Sequence, residues 1–288
     1  MAGKLGHSKI NLQPRPSGFG AEVTGVTFAD LQPAETLADL RTALAEHGML
    51  WFADQPLSHS GFEALARQLG QLGINPFVQA LPDYPDIVEV RRDPDERAVV
   101  FGGGWHSDWS FLAEPPLATL LHAKVVPPSG GDTLFCDTRR AFEELSKPFQ
   151  TMLANLRASH TAAGPYGSEG YFAKESGRSG MQIVTGPEAD ALQVHPVAPI
   201  HPSSQQRALF VSPGYTVAIE GWSRAESDAL LQFLAAHMTN ERFVYRHIWQ
   251  PDMLVIWDNR LVLHCATGGY DGHLRMMHRI VLAGGRPS

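Results

Sequence analysis

The chain reads as a mainly β protein: a jelly-roll domain with peripheral helices. Three observations predict this. Short apolar runs of strand length recur between turns rich in Gly, Pro and Asp. Segments with helical periodicity are few and scattered. No internal repeat or linker-like stretch breaks the pattern, so residues 1–288 are expected to form one domain. With 43% hydrophobic and 18% charged residues, a chain of this length can bury a large core.

Taken in order, residues 10–28 read as extended pieces broken by Pro14, Pro16, Gly18, Gly20 and Gly25. Residues 34–46 place Leu37, Leu40 and Leu44 at helical spacing, and Gly48 stops the helix. Residues 49–52 form a short buried strand. A second helix over 58–69 carries Phe62, Leu65 and Leu69 on one face, and 87–90 is another strand. The aromatic run Trp105-His106-Ser107-Asp108-Trp109-Ser110-Phe111 reads as strand-like. Residues 118–126 and 133–136 are strands joined by a Pro-Pro-Ser-Gly-Gly-Asp loop. Asp137 or Thr138 caps a helix over 139–145, and a longer helix follows over 148–156. Residues 164–186 are rich in Gly, Ser and Glu, with Tyr166, Tyr171 and Phe172 among them, and are expected to be a mobile lid. Residues 209–211 look strand-like. Ser223 opens the clearest helix, with Glu226 completing its capping box, and that helix runs to about residue 239. Strands at 253–257 and 261–265 flank the turn Asp258-Asn259-Arg260, and 274–282 is the last strand.

Composition excludes several classes of function. A net charge of −7 and a pI near 6.0 offer no footprint for nucleic acid and no polybasic membrane patch. No window supplies the roughly 18 apolar residues of a membrane-crossing helix. The stretch Met1-Ala2-Gly3-Lys4-Leu5-Gly6-His7 lacks the apolar core of a signal peptide. With only Cys136 and Cys265, a disulfide framework is not expected, and a reducing cytoplasm is the natural setting.

Candidate chemistry begins at His106 and Asp108. Alternate residues of a strand project to one face, which would pair an imidazole with a carboxylate. That is two-thirds of a facial triad for non-haem iron(II). Taken alone, His-x-Asp reads as a core histidine beside a turn-capping aspartate. The run Phe101-Gly102-Gly103-Gly104 before it lets backbone or ligand approach closely. His264, in Leu261-Val262-Leu263-His264-Cys265, could supply the third ligand from a neighbouring strand; Cys265 then faces the other way and serves packing. On the last strand Arg275, Met277 and Arg279 share one face, placing two guanidiniums on one wall. Buried arginine needs an anionic partner and suits carboxylate or sulfonate. Gly130-Gly131-Asp132-Thr133 alone reads as a plain hairpin turn, although the Thr133 hydroxyl could donate to a carboxylate. His122, His160, His195, His201, His273 and His278 show no ligand spacing.

Together these pieces resemble the taurine dioxygenase and 2,4-dichlorophenoxyacetate dioxygenase family of iron(II)- and 2-oxoglutarate-dependent enzymes. The similarity runs from Gly18-Phe19-Gly20-Ala21-Glu22-Val23 through Trp257-Asp258-Asn259-Arg260 to Arg279. Phenoxyalkanoate (dichlorprop-type) members are the nearest in character, through Pro115-Pro116, the Gly-Gly-Asp-Thr turn, Ala225-Glu226-Ser227 and Leu230-Leu231-Gln232-Phe233-Leu234. The resemblance implies the double-stranded β-helix and a dioxygenase that releases succinate and carbon dioxide. It implies His106, Asp108 and His264 on Fe(II), and Thr133 and Arg275 on the distal carboxylate of 2-oxoglutarate. Arg279 would lie near the keto-acid end and the anionic group of the substrate. Dioxygen is the other co-substrate, and Asp108 argues against a halogenase.

The chain departs from the taurine enzyme in the substrate pocket. Asn75 stands for a sulfonate-binding histidine, Val78 for a tyrosine, Tyr215 for a phenylalanine and Gly102 for an asparagine. Trp109 is bulkier than its usual counterpart, and strand alternation would turn it away from the metal. A small anionic substrate other than taurine is expected: a carboxylate, sulfonate or sulfate that is hydroxylated, with C–O or C–S cleavage where the new hydroxyl makes the bond labile. An alkylsulfatase-like or sulfonate dioxygenase is the alternative within the class. A non-catalytic cupin-like metal-binding protein is the alternative outside it. A homo-oligomer, dimer or tetramer, is expected by analogy.

Overall fold

The structure, a computed structural model, describes residues 10–178 and 180–288. The Met1–His7 stretch read for targeting therefore lies outside it, as does Ser179 within the 164–186 segment. The elements follow in chain order. The first half contains β1 (Asn11–Pro14), β2 (Ala21–Thr24), α1 (Ala34–His47), β3 (Met49–Phe52), α2 (His59–Leu69), β4 (Val88–Arg92), β5 (Ala118–Val125) and β6 (Thr133–Asp137). Next come α3 (Thr138–Glu143), α4 (Lys147–Leu153), β7 (Arg157–His160), α5 (Ala163–Tyr166), α6 (Tyr171–Lys174), β8 (Gln193–Pro196) and β9 (Thr216–Ile219). The chain ends with α7 (Arg224–Met238), β10 (Val244–His247), β11 (Leu254–Asp258), β12 (Val262–Ala266) and β13 (Arg275–Leu282).

The strands form a seven-stranded sheet in the order β1-β2-β3-β11-β5-β13-β4 and two three-stranded sheets, β10-β6-β12 and β8-β7-β9. The largest sheet and the β10-β6-β12 sheet share one core. Leu121, Val255, Trp257 and Met277 of the former pack in a cluster with Phe135 and Val262 of the latter. The outer face of the large sheet is covered by α1 and α2, whose Leu40, Leu44, Phe62 and Leu65 join Leu50, Leu120, Ile256 and Ile280. Helix α7 packs on the β7 and β9 side through Leu230, Leu234 and Met238. Strands β5, β11 and β13 are accordingly buried almost throughout, as expected where helices cover one face of a sheet and a second sheet covers the other. Among the described residues no helix is long and apolar enough to cross a membrane.

Local sequence explains the boundaries. The Ser58 side chain accepts from Gly61 N, so Ser58 caps α2 and lies outside it. Asp137 caps α3 through Arg139 N and Arg140 N. The Ser223/Glu226 capping box is present, as read from the sequence. Gly48 ends α1 at φ 74°, where a Cβ would stand 3.1 Å from the Phe19 ring.

Three expectations need correction. Residues 105–111 are not a strand. His106 makes a single antiparallel bridge to His264, after which the chain turns, and Trp109 adopts φ 46°. Residues 209–211 are buried but join no ladder, because Leu209 N bonds to Thr138 O and Phe210 N to Val197 O, two unrelated segments. Residues 164–186 are less irregular than their composition suggests. They include α5 and α6, and Ile183 bridges to Val78.

Candidate active site

Three side chains converge where the β12 end of the small sheet meets the turn after residue 105. The bridge fixes two of them through the backbone: His106 N donates to His264 O (3.0 Å) and His264 N to His106 O (2.8 Å). The Nε2 atoms of His106 and His264 lie 3.7 and 3.9 Å from Asp108 Oδ1. Among the described residues these three form the one group of His, Cys, Asp and Glu that could hold a metal ion, with ligand atoms within 4.8 Å of one another. All three are nearly buried, at 8%, 1% and 8% exposure.

The donor set suits a divalent metal. His106 Nδ1 lies 2.7 Å from Gly104 O, so its proton sits there and Nε2 presents a lone pair. Burial, with His106 close by, lowers the pKa of His264 to about 3, so its imidazole is neutral. Trp257 and Phe135 flank the His264 ring at 4.7 and 6.2 Å between centroids and hold its plane. Burial alone would raise the Asp108 pKa, but Arg279, then His264 and His106, hold the carboxyl well below the ordinary range. The anion is thus retained in a dry setting, which a cation would complete.

Asp108 is not placed by strand alternation. Ser107 N donates to Ser212 Oγ, and Ser107 Oγ to Asn259 O at 2.6 Å, which anchors the turn on both sides. The positive φ of Trp109 breaks the alternation, so the indole does not turn away. It lines the same cavity as His106 and Asp108. The Arg279 guanidinium lies 4.9 Å from the Trp109 ring centroid, donates to Asp108 Oδ1 at 3.4 Å and to Asn75 Oδ1 at 3.2 Å. Asn75 Oδ1 also accepts from Trp109 Nε1 at 3.4 Å. Arg279 Nε is buried with no partner among the described residues, an orphan donor that an anionic ligand would satisfy.

A chamber beside the triad is lined by Thr133, Arg275, Arg279, His264 and Leu121. Arg275 is 5% exposed, and its Nε donates to Gly131 O at 3.2 Å. No carboxylate pairs with it among the described residues. Burial lowers its pKa, with Tyr270 and Asp132 only partly opposing. Thr133 Oγ1 accepts from Trp249 Nε1 at 3.0 Å, which leaves its own proton free to donate. A buried cation and a free hydroxyl donor around one chamber make a seat for a carboxylate. The Gly-Gly turn is therefore not a plain hairpin. At Gly131, φ 72°, a Cβ would meet Arg275 Cδ and Nε at 3.1 Å.

The larger cavity, about 510 Å³, opens from His106, Asp108 and Arg279. Its walls are aromatic: Phe101, Trp109, Tyr166, Tyr171, Phe172 and Tyr215. Burial raises the Tyr166 and Tyr215 pKa values, so both hydroxyls keep their protons. Tyr215 meets the His106 ring edge-on at 6.1 Å. Gly102 lies where a Cβ would touch His106 Cε1 at 3.4 Å, and it lines the cavity. Val78 is buried in the aromatic cluster behind this wall.

The structure thus brings together every residue singled out for the site: His106, Asp108, His264, Thr133, Arg275, Arg279, Asn75, Trp109 and Tyr215. Sequence reasoning missed Thr119, whose hydroxyl donates to Asp108 Oδ2 at 2.7 Å, and the wall formed by Phe101 and Tyr166. Thr119 had no visible signal, being one hydroxyl in an apolar strand.

Two imidazoles and a carboxylate on a β-sandwich scaffold, beside a cationic chamber, define a non-haem iron centre of the two-histidine, one-carboxylate class. The profile described as "Taurine catabolism dioxygenase TauD, TfdA family" matches residues 11–281, and the chain belongs to that family. It is 32% identical over 281 residues to the (S)-phenoxypropionate/alpha-ketoglutarate-dioxygenase of Sphingobium herbicidovorans, covering 96% of this chain and 95% of the relative. It is 30% identical to the alpha-ketoglutarate-dependent sulfate ester dioxygenase of Pseudomonas putida, covering 97% and 91%. The fold superposes on a crystal structure of a taurine dioxygenase from Burkholderia xenovorans with TM-score 0.80 at 27% identity, covering 97% and 91%. The jelly-roll expectation holds, and the chain is an iron(II)- and 2-oxoglutarate-dependent dioxygenase with Fe(II) at His106, Asp108 and His264.

Proposed function

We propose that this dioxygenase hydroxylates an unactivated C–H bond of a small organic anion whose bulk is apolar or aromatic, and that C–O cleavage follows where the hydroxylated carbon bears an ether oxygen. One observation carries the reading. Among the residues lining the 510 Å³ cavity, Arg279 is the one arginine or lysine, and Phe101, Trp109, Tyr166, Tyr171, Phe172 and Tyr215 share the wall with glycines and aliphatic side chains. A ligand with one anionic end and an apolar body matches that wall. The similarity to an (S)-phenoxypropionate dioxygenase supports the same class. A sulfate ester with an apolar chain is the second reading, supported by the Pseudomonas putida relative. Asp108, the one carboxylate lining this cavity, is assigned to the metal, so a compact, doubly polar molecule such as taurine is the poorer match.

In this reading Arg275 and Thr133 hold the distal carboxylate of 2-oxoglutarate, and Arg279 neutralises charge between the keto-acid end and the substrate. When bound, iron and 2-oxoglutarate supply the oxidising chemistry, with succinate and carbon dioxide released. The protein's part is placement. Asn75 and Asp108 hold Arg279 against Trp109, and the aromatic walls keep water from the reacting carbon. We further read the 164–186 segment as a cover for the pocket. Tyr166 and Phe172 reach the cavity from it, and Arg178 pairs with Glu96 and Glu175 at its base. A structural cupin-like metal site would have no use for Arg275 facing an anion seat. A dimer or tetramer is proposed by family analogy alone.

The test is a panel of phenoxyalkanoates, alkyl sulfates, sulfonates and taurine with purified enzyme, Fe(II) and 2-oxoglutarate, read by succinate release. Turnover is expected with aryl or alkyl anions and not with taurine. Taurine as the best substrate, or turnover of uncharged analogues at equal rate, overturns the assignment.

A further inference from the structure

The two oxygens of Asp108 have different surroundings, and the difference traces back to an indole on β11. Oδ1 faces His106 Nε2, His264 Nε2 and Arg279. Oδ2 accepts from Thr119 Oγ1 at 2.7 Å. Thr119 in turn accepts from Asn259 Nδ2 at 2.9 Å, and Asn259 Oδ1 accepts from Trp257 Nε1 at 2.9 Å. All four residues are buried, none more than 1% exposed.

The direction of this chain is not free. An indole N–H can only donate, so Asn259 must present Oδ1 to Trp257 and Nδ2 to Thr119. Flipping the amide would set two donors against each other, and the unmade bonds would be buried. Because Asn259 Nδ2 can only donate to Thr119 Oγ1 and the Asp108 carboxylate can only accept, the single Thr119 proton goes to Asp108 Oδ2. Backbone bonds hold the relay in place. Thr119 of β5 sits opposite Trp257 of β11, Asn259 N donates to Leu117 O, and Asn259 O accepts from Ser107 Oγ. The turn that carries Asp108 is thus fastened to the residue that directs its carboxylate.

We infer that Thr119 and Asn259 are positioning residues: the one-way chain Trp257–Asn259–Thr119 holds Asp108 Oδ2 off the metal, so that Asp108 binds through Oδ1 alone. A carboxylate that swung to bind through both oxygens would take a coordination position. An octahedral iron with three protein ligands has three positions for 2-oxoglutarate and dioxygen, and a second carboxylate oxygen would leave two. The hydrogen bond also withdraws Oδ2 by the means outer partners commonly use to orient metal ligands.

The inference rests on metal binding at the triad, and the test separates the two. Wild type, Thr119→Val and Thr119→Ser are prepared metal-free, and their melting temperatures are measured first. Each is then titrated anaerobically with Co(II), whose visible bands report coordination number, and with Fe(II) followed by 2-oxoglutarate, reading the charge-transfer band. The valine keeps the shape and loses the proton. It is expected to bind metal 10- to 100-fold more weakly, with a changed Co(II) spectrum, while serine restores both to within about threefold. Thr119→Ala gives the same reading if the valine variant does not fold. Wild-type affinity and spectrum in Thr119→Val overturn the inference, as does a serine variant as impaired as the valine. A wild-type protein that binds neither metal overturns the metal site itself.

Discussion

Replacing Arg275 with methionine separates its cost to the empty protein from its use in binding. In the empty protein the guanidinium is 5% exposed, has no carboxylate partner among the described residues and makes one hydrogen bond, to Gly131 O. An apolar side chain of similar length removes a buried, poorly compensated charge. By analogy with buried ion pairs replaced by apolar groups, stability should stay level or rise by about 1–3 kcal/mol. For 2-oxoglutarate the sign reverses. Losing a buried charge-assisted contact to a carboxylate costs about 2–5 kcal/mol, or roughly 30- to 5,000-fold in affinity. At a 2-oxoglutarate concentration about 100 times the wild-type Kd, the wild-type protein gains about 2.7 kcal/mol. At about 2–4 °C per kcal/mol for a chain of this size, its melting point rises by about 5–10 °C. In the variant the same concentration yields under about 1 kcal/mol. Thermal melts of the Fe(II)- or Mn(II)-loaded proteins with and without 2-oxoglutarate read both effects. A variant that keeps the full ligand-induced shift refutes the carboxylate seat. One that melts far below wild type without ligand refutes the claim that Arg275 is a poorly compensated charge.

Other outcomes follow from the same structure. Gly131→Ala forces a left-handed backbone costing about 1–2 kcal/mol and pushes on Arg275, so the KM for 2-oxoglutarate should rise several-fold in steady-state succinate assays with a small fall in Tm. Burial, with His195 adjacent, lowers the His160 pKa to about 3, and burial lowers that of His247 to about 4 against the partial opposition of Asp132. Their unfolded-state value is near 6.5, so the unfolded chain binds more protons below that pH and stability falls with acid. The loss is about 2 kcal/mol for each histidine by pH 5, checked by urea melts between pH 7 and 5, where His160→Gln should flatten the slope. Asp258 is buried between Arg260 and His201, and its pKa is lowered by those partners in spite of burial. Asp258→Asn should cost about 3 kcal/mol in melts near neutral pH, a difference that persists to pH 5 and shrinks only below the ordinary aspartate pKa of about 3.9. Trp109→Leu should leave the anaerobic 2-oxoglutarate band in place while reordering the substrate panel, because its ring borders the cavity rather than the metal.

How much was legible beforehand depends on where the information sits. Local signals read well: the Ser223/Glu226 box, the Gly48 stop, and β11 and β12 flanking the turn at 258–260 all appear within a residue or two. The ligand trio was legible because its chemistry needs rare residue types and His264 lies on a plain strand. The reasoning that joined His106 to Asp108 was nonetheless mistaken. The two converge through a turn with a left-handed residue, not through strand periodicity, and for the same reason Trp109 faces the pocket. Residues 209–211 misled because burial, not sheet pairing, explains their apolar run. Thr119 carried no signal, and Asn259 was read only within the Trp257-Asp258-Asn259-Arg260 turn, with no link to Asp108. A hydroxyl in an apolar strand and an amide in a turn have ordinary local reasons to be there, and only the three-dimensional register joins them to Asp108.

The backbone bridge between His106 and His264 sets the terms of metal exchange. Both imidazoles are anchored by reciprocal main-chain bonds that need no ion. A centre built in this way is a standing socket rather than a clasp that closes around its guest. Chelation should strip the ion and leave the fold standing, in contrast to small domains whose folding depends on zinc. Other divalent ions of similar radius should then compete for the same seat, so the fraction of active enzyme in a cell would follow the local supply of iron relative to its rivals.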